Sequence, residues 1–267
     1  MFWEDLTAGD FVRTRETTQG TCLLPLGVIE KHGGHLPLGT DMFTARHLAG
    51  KIAAAEPVVV FPYYFFGPIS EANHCPGTIA IKPELMYDLF TEICGIISAN
   101  GFKKIAILDC HGTNELFLKY YIQSSLYSRR DYVIYHLRAR YSADIRARLE
   151  EMLGTDDFGQ HAGNTETSTI MSVRPDLVKL EQSEPEGFPS WGRLENIKND
   201  AFTPMFWYAD HPTHQAGHIS AARAEVGDFM TDYKVSQIAK ILREIKADTV
   251  TPALLEEFYT KSETKGG

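Results

Sequence analysis

The sequence predicts an α/β fold in which a mostly parallel sheet carries helices on both faces. Two observations predict it. Strand-like and helix-like segments alternate over residues 22–153, the rhythm of a sheet built from strand–helix–strand units. No internal repeat or low-complexity linker breaks the 267 residues, a length that suits one large core. A single domain over residues 1–267 is therefore expected.

The elements follow in order. Residues 22–29 form an apolar run and read as a buried strand. Residues 42–55 are amphipathic, with Phe43, Leu48 and Ile52 among the apolar positions, and read as a helix. Residues 57–66 are β-branched and aromatic, hence strand-like. Residues 83–99 open on Pro83 and are followed by Asn100-Gly101, a helix start and a helix stop. Strand, helix, strand and helix then follow at 104–110, 114–128, 132–137 and 142–153. Right-handed crossovers place the strand ends at Ile29 and Cys110 on one edge of the sheet. Beyond Leu180 the pattern loosens. Residues 181–218 are rich in Pro, Gly and aromatics, and a long irregular stretch of this kind usually serves or covers a site or interface. Residues 221–247 read as a long helix, and 261–267 as a polar tail that frays.

Composition narrows the function. Hydrophobic residues make up 43% and charged residues 23%, and the formal net charge is -9. That balance argues against a nucleic-acid partner, because binding a phosphate backbone needs concentrated Lys and Arg. Cys22, Cys75, Cys94 and Cys110 form no CxxC pair, and at least three lie in or beside apolar runs, as reduced thiols of a cytosolic protein do. The first residues lack a basic segment followed by an apolar core, and no run reaches membrane-spanning length. A soluble, cytoplasmic protein acting on a small molecule, with no membrane partner, is expected.

The chemistry concentrates between Glu30 and Asp41. Glu30, His32 and Asp41 are donors suited to a divalent metal. They lie where a buried strand ends and a helix begins, the usual ligand-binding edge of α/β proteins. A second cluster runs from Asp109 through His111 to Glu115, and a third from His161 through Glu166 to Ser168. Each has a plainer reading. A single His near a strand end can be a hydrogen-bonded turn residue, Glu166 an acidic residue in a helix's first turn, Asn114 an N-cap, and Asp109 a loop anchor. His47 reads as a surface or packing residue. The spacing of His211, His214 and His218 matches no compact ligand motif. Jointly, however, Glu30, His32, Asp41 and His111 converge at one sheet edge. Two carboxylates and two imidazoles exceed one structural zinc and suit a two-metal site with a bridging carboxylate. Such a site makes hydroxide near neutral pH and polarises a carbonyl.

Residues 25–41 resemble the opening motif of the creatininase (creatinine amidohydrolase) family. Pro76-Gly77-Thr78, the stretch from Asp109 to Asn114, that from His161 to Ser168, and Arg174-Pro175-Asp176-Leu177-Val178 are similar to its later motifs, in the same order. The resemblance spans about residues 24–178. It implies a three-layer α/β/α sandwich, commonly assembled as a hexamer, with two divalent metal ions per chain (Zn, Mn or Fe) and no organic cofactor. Glu30, Asp41 and His111 would bind one ion, and His32 with the bridging Asp41 the other. His161 matches the active-site His, and Glu166 an acidic residue serving as ligand or proton carrier.

Two departures bear on substrate. The family's creatinine-hydrolysing member has Tyr-Glu directly after the His that matches His111, and that Glu holds the second metal. Gly112-Thr113 stands there in this chain, so Glu166, Glu115 or water must complete the site. That member also has Trp-Asp shortly before the His that matches His161, packed on the substrate ring, where this chain has Asp157-Phe158. A two-metal amidohydrolase cutting a C–N bond in a small cyclic amide or formamide other than creatinine is expected. The alternatives are hydrolytic opening of a sugar-derived ring of keto-inositol type, and a non-catalytic metal-binding protein. Pocket walls are expected from residues 70–75, 156–160 and 181–218. Trp191, Phe206, Trp207 and Tyr208 are expected in core or interface, the usual place of large aromatics.

Overall fold

The computed structural model describes residues 1–183 and 190–264. Among these, strands β1 (Thr21–Leu26), β2 (Val59–Val60), β3 (Lys104–Asp109) and β4 (Val133–Leu137) form one parallel sheet in the order β2-β1-β3-β4. All six β1 residues are buried, as expected of a parallel strand covered on both faces.

The two-residue period of the strands sorts the core into two layers. Cys22, Leu24 and Leu26 of β1 and Ile105 and Ile107 of β3 face one way. They pack on Phe90, Ile93, Cys94 and Ile97 of α3 (Pro83–Ala99) and on Leu118 and Tyr121 of α4 (Asn114–Ser124). Leu23 of β1 and Ala106 and Leu108 of β3 face the other way. They meet Leu48 and Ile52 of α2 (Thr40–Ala55) and Ile238, Leu242 and Ile245 of α8 (Ala224–Ala247). The result is the three-layer α/β/α arrangement.

The remaining helices are α1 (Ala8–Thr17), α5 (Ala143–Leu153), α6 (Asn164–Val173), α7 (Phe206–Asp210) and α9 (Val250–Thr264). No helix of the described residues is long and apolar enough to cross a membrane. The four cysteines are free.

Several boundaries differ from those read off the sequence. The 57–66 run is a strand only at Val59–Val60, with one further isolated bridge from Tyr64 to Leu26, because Pro57 and Pro62 have no N–H for a continuous ladder. The helix from Asn114 ends at Ser124 and tightens into a 3₁₀ turn over Ser125–Tyr127. The expected C-terminal tail is helical as far as Thr264, in α9, and residues 265–267 lie outside the described residues. Asp248 starts α9 by accepting from the Val250 and Thr251 amides. That cap precedes a stretch with little amphipathic pattern.

The topology creates the site. From β1 the chain moves outward to β2 through α2, then returns to β3 on the other side of β1 through α3. The crevice between the C-terminal ends of β1 and β3 is therefore the switch point of the sheet. Leu26 pairs with Asp109 there, so the loops after both strands leave side by side.

Beyond Leu26 the chain runs under the start of α2. A Cβ on Gly27 would lie 2.5 Å from the Met42 nitrogen and 2.6 Å from the Asp41 carbonyl. Only glycine permits this approach, which holds Asp41 over the crevice. Gly27→Ala is expected to lower stability by about 1–3 kcal/mol, the usual effect of overpacking, in urea unfolding. Gly112→Ala, whose Cβ meets nothing within 4 Å, should stay within about 0.5 kcal/mol of the parent protein.

Candidate metal centre

Four loops and helix ends deliver the donors. Glu30 and His32 follow β1, Asp41 sits in the first turn of α2, and His111 follows β3. His161 precedes α6, and Glu166 lies in its first turn. His111 Nδ1 is 3.0 Å from Asp41 Oδ2 and 3.0 Å from Glu30 Oε1. His32 Nε2 is 3.3 Å from Asp41 Oδ1 and 3.8 Å from Glu166 Oε2. Asp41 thus offers one oxygen to each side. Glu30, Asp41 and His111 form one group of mutually adjacent donors, and His32, Asp41 and Glu166 a second. Glu30, His32 and His161 form a third overlapping group.

The spacing and the chemistry fit divalent ions. Donors at about 2.1 Å from a common ion stand about 3–3.5 Å apart, close to the separations seen. Glu30 Oε1 and His32 Nε2 are buried and make no well-aligned hydrogen bond, although His111 Nδ1 and Asp41 Oδ1 lie 3.0 and 3.3 Å away, a crowding of buried polar atoms that a shared ion would satisfy. Burial works against the charges of Glu30 and Asp41. The imidazoles overcome it: His111 and His214 hold the Glu30 carboxyl well below the usual range, and His32 and His111 lower that of Asp41. Burial likewise opposes a charged His32, but Asp41 and Glu166 raise it to about 9. Asp41 and Glu30 similarly push His111 up against its burial. The same negative field attracts cations.

Outer contacts fix which ring nitrogen faces inward. His32 Nδ1 lies 3.2 Å from the Glu30 carbonyl oxygen, so a proton there leaves Nε2 as the donor. His111 Nε2 donates to Thr113 Oγ1 at 2.6 Å, and Thr113 donates on to the Pro68 carbonyl at 3.0 Å. Thr113, one of the two departures after His111, therefore orients that imidazole. Asp109 anchors the same loop. Its Oδ1 accepts from the His111 amide and from Asn114 Nδ2, and its Oδ2 lies 3.2 Å from His136 Nε2. Asn114 is the first residue of α4 rather than its cap.

His161 is held differently. Its Nε2 lies 2.9 Å from the Lys31 carbonyl, and its Nδ1 faces Glu30 Oε1 and Glu166 Oε2, each at 3.9 Å. Burial, reinforced by His32, lowers it to about 3, so the imidazole is neutral. Glu166 Oε2 accepts from the Ala162 amide at 2.5 Å, and burial pushes its carboxyl up. Ala162 has φ 52°, a left-handed conformation that non-glycine residues rarely hold.

Every site residue read from the sequence converges here. Glu115, the other candidate to complete the second group, instead pairs with Lys119 and Arg138. His47 lies half-buried on α2, and His218 is exposed beside Asp157. His214 was not legible. Its Nε2 donates to Glu30 Oε2 at 3.0 Å, and its Nδ1 accepts from Trp207 Nε1 at 2.9 Å. The irregular stretch thus serves the site, as its length suggested. Trp207 joins the centre, whereas Trp191, Phe206 and Tyr208 are exposed rather than core. The strap is pinned by paired backbone bonds between His161 and Ala216, and His214 itself has φ 59°.

A cavity of about 610 Å³ opens on Asp41, His111 and Glu166. Of the wall segments expected from the sequence, only 156–160 contributes, through Phe158 and Gly159. The ends of β3 and β4, with α2, α5, α6 and α8, supply the rest. Residues 184–189 lie outside the described residues.

The family model for creatinine amidohydrolase, Creatininase, matches residues 4–242. The chain belongs to the creatininase family. It is 23% identical over 266 residues to 3-dehydro-scyllo-inosose hydrolase of Thermotoga maritima, covering 91% of this chain and 84% of that protein. It is 23% identical over 245 residues to creatinine amidohydrolase of Pseudomonas putida, covering 84% and 90%. The crystal structure of creatinine amidohydrolase (creatininase) matches with a TM-score of 0.77 at 19% identity, covering 93% of this chain and 98% of that one, a likeness of fold. Creatininase has also been solved in a manganese form and, as a mutant, in a zinc–zinc form. Creatininase-family members are hydrolases, and this chain is one by membership.

His214 acts on the centre through Glu30. His214→Ala should weaken zinc binding about 10–100-fold, as loss of outer contacts to a ligand does, in a calorimetric titration. An unchanged affinity would mean that Glu30 needs no such support.

Proposed function

We propose that this protein is a two-metal amidohydrolase that cleaves a C–N bond in a small cyclic amide or formamide other than creatinine. The observation that carries this is Asp41, whose two oxygens face two separate donor groups. Glu30, Asp41 and His111 would hold one ion, and His32, Asp41 and Glu166 the other. The mixed N/O donors suit Zn, Mn or Fe, and the zinc and manganese forms of creatininase agree with the first two. When bound, the ions would supply Lewis acidity and an activated water.

The chain's own residues do the rest. His161 Nδ1 takes the proton of the attacking water and returns it to the leaving nitrogen as the C–N bond breaks. The Lys31 carbonyl keeps that imidazole in the required tautomer. Water's oxygen ends on the acyl carbon and its second hydrogen on the products, so the step balances without a co-reactant. Glu166 keeps its place in the donor group through the Ala162 amide. Asp157-Phe158 offers no tryptophan to stack on a creatinine ring, which supports a different substrate.

A second reading is hydrolytic opening of a keto-inositol ring, favoured by the similarity to 3-dehydro-scyllo-inosose hydrolase over 91% of the chain. Glu166 Oε2, 3.8 Å from His32 Nε2, stands where it could replace the carboxylate that Gly112-Thr113 lacks, which weighs against the non-catalytic alternative. We also propose a single domain, a cytoplasmic location and a homo-oligomer, the last supported by exposed Leu116, Tyr120 and Tyr127.

Purified protein reconstituted with zinc should hold two equivalents, read by elemental analysis after dialysis. Asp41→Ala should lose both and Glu166→Gln one. His161→Ala should keep the metal and lose at least about 100-fold in turnover on a panel of cyclic amides, formamides and keto-inositols. A parent protein that retains no zinc would defeat the reading.

A further inference from the structure

Helix α8 presents Met230, Lys234 and Ile238, spaced by four residues, to the cavity that opens on the candidate metal centre. Met230 and Ile238 are buried, and Lys234 is half-buried between them. A lysine on the apolar stripe of a packed helix is costly unless its ammonium is met. Tyr141 lies beneath it, with the ring centroid 5.9 Å from Nζ. Among the described residues no carboxylate forms an ion pair with it, and Asp41 and Glu166 take their imidazole partners instead. Burial opposes its charge, but Tyr141, Cys110 and Glu166 outweigh burial and keep it an ammonium.

The surrounding wall has the same character. Arg138, Arg140 and Arg146 also line the cavity, in a chain of net charge -9. Arg138 is matched by Glu115, whereas Arg140 and Arg146 form no ion pair among the described residues. Asp109 is committed to its own loop and to His136. Two divalent ions would outweigh Glu30, Asp41 and Glu166 by one charge, leaving the cavity positive. Its volume, about 610 Å³, exceeds what a bare amide ring needs and lies within the range of pockets for larger metabolites.

We propose that the substrate carries an oxyanion, a carboxylate or a phosphate, set apart from its reacting carbonyl, and that Lys234 binds it with Arg140 and Arg146 at the mouth. This rests on the two-metal hydrolase reading and names its substrate class. Lys234 is a specificity residue, remote from the bond that breaks. A charge-assisted contact at a half-buried ammonium discriminates an anionic ligand from its neutral analogue by about tenfold or more.

The test titrates zinc-reconstituted protein with inorganic phosphate and, separately, with succinate, by calorimetry. Lys234→Met keeps the volume and suits an apolar stripe. It should weaken at least one probe about tenfold while leaving zinc content as in the parent, and Lys234→Arg should recover most of the loss. Arg146→Met, on the exposed rim, should give a smaller loss, about threefold. Loss confined to phosphate identifies a phosphorylated substrate, and loss confined to succinate a carboxylated one. Equal binding in the parent and Lys234→Met would mean that both probes sit only on the ions, and would overturn the proposal. So would no binding of either probe up to about 10 mM, weaker than any useful recognition. Zinc content is read on the same samples. A parent that holds no zinc but binds anions through Lys234 would end the metal reading and leave the anion site standing.

Discussion

The structure depends on one carboxylate held where two donor groups meet. Asp41 reaches that point because β1 ends at Leu26, Gly27 has no side chain, and α2 starts directly over it. The parallel pairing of β1 with β3 brings the His111 loop to the same edge. Displacing any of these would separate oxygens that must stay about 3 Å from two different imidazoles. The rest of the molecule can be understood as what keeps that first turn in place. Leu48 and Ile52 anchor α2 on the sheet, and α8 packs beside it on the same face.

Gathering this many charges in the interior has a cost that packing alone does not offset. Three carboxylates and three imidazoles lie within a few ångströms, most of them buried. Buried ions persist only when each is met by a partner of opposite charge or a hydrogen bond. The outer contacts do this one atom at a time. Thr113 and Pro68 hold His111, the Glu30 carbonyl holds His32, Lys31 holds His161, and His214 with Trp207 holds Glu30. Two non-glycine residues, Ala162 and His214, stay in left-handed backbone conformations beside the centre. Strain of that kind is kept where surrounding structure over-determines it, and here it aims Glu166 and His214 inward.

Site and cavity divide the work between two sides of the sheet edge. Histidines from the first motif, the loop before α6 and the 211–218 strap crowd the Glu30 side, where aromatic and imidazole rings pack edge to face. The Asp41, His111 and Glu166 side is open and carries the cationic wall. In the proposed reading, a substrate approaching from that side would meet Asp41 and Glu166, with its remainder along α8 and the end of β4. Chemistry and recognition would then fall to different elements, so the pocket could vary while the donor set stays fixed.

The local pattern determined the strands, the main helices and the donors that follow a strand end within a few residues. Alternation of buried positions and the placing of proline and glycine are short-range physics, so helix 83–99 and the strands within 22–29 and 104–110 were legible, though the first strand stops at Leu26 and the other at Asp109, as were the candidate donors Glu30, His32, Asp41 and His111. His161 and Glu166 stood out as a His–Glu cluster in a glycine-containing turn, and their roles came from the family resemblance. The strand order, the shortness of β2 between two prolines, and the helices α1 and α9 were settled by packing. So were His214 on Glu30 and Lys234 in the cavity wall. Each of those contacts joins residues far apart in the chain, His214 lying 184 positions from Glu30. Which distant side chains meet is decided only once the sheet has chosen its topology and the helices have closed over it.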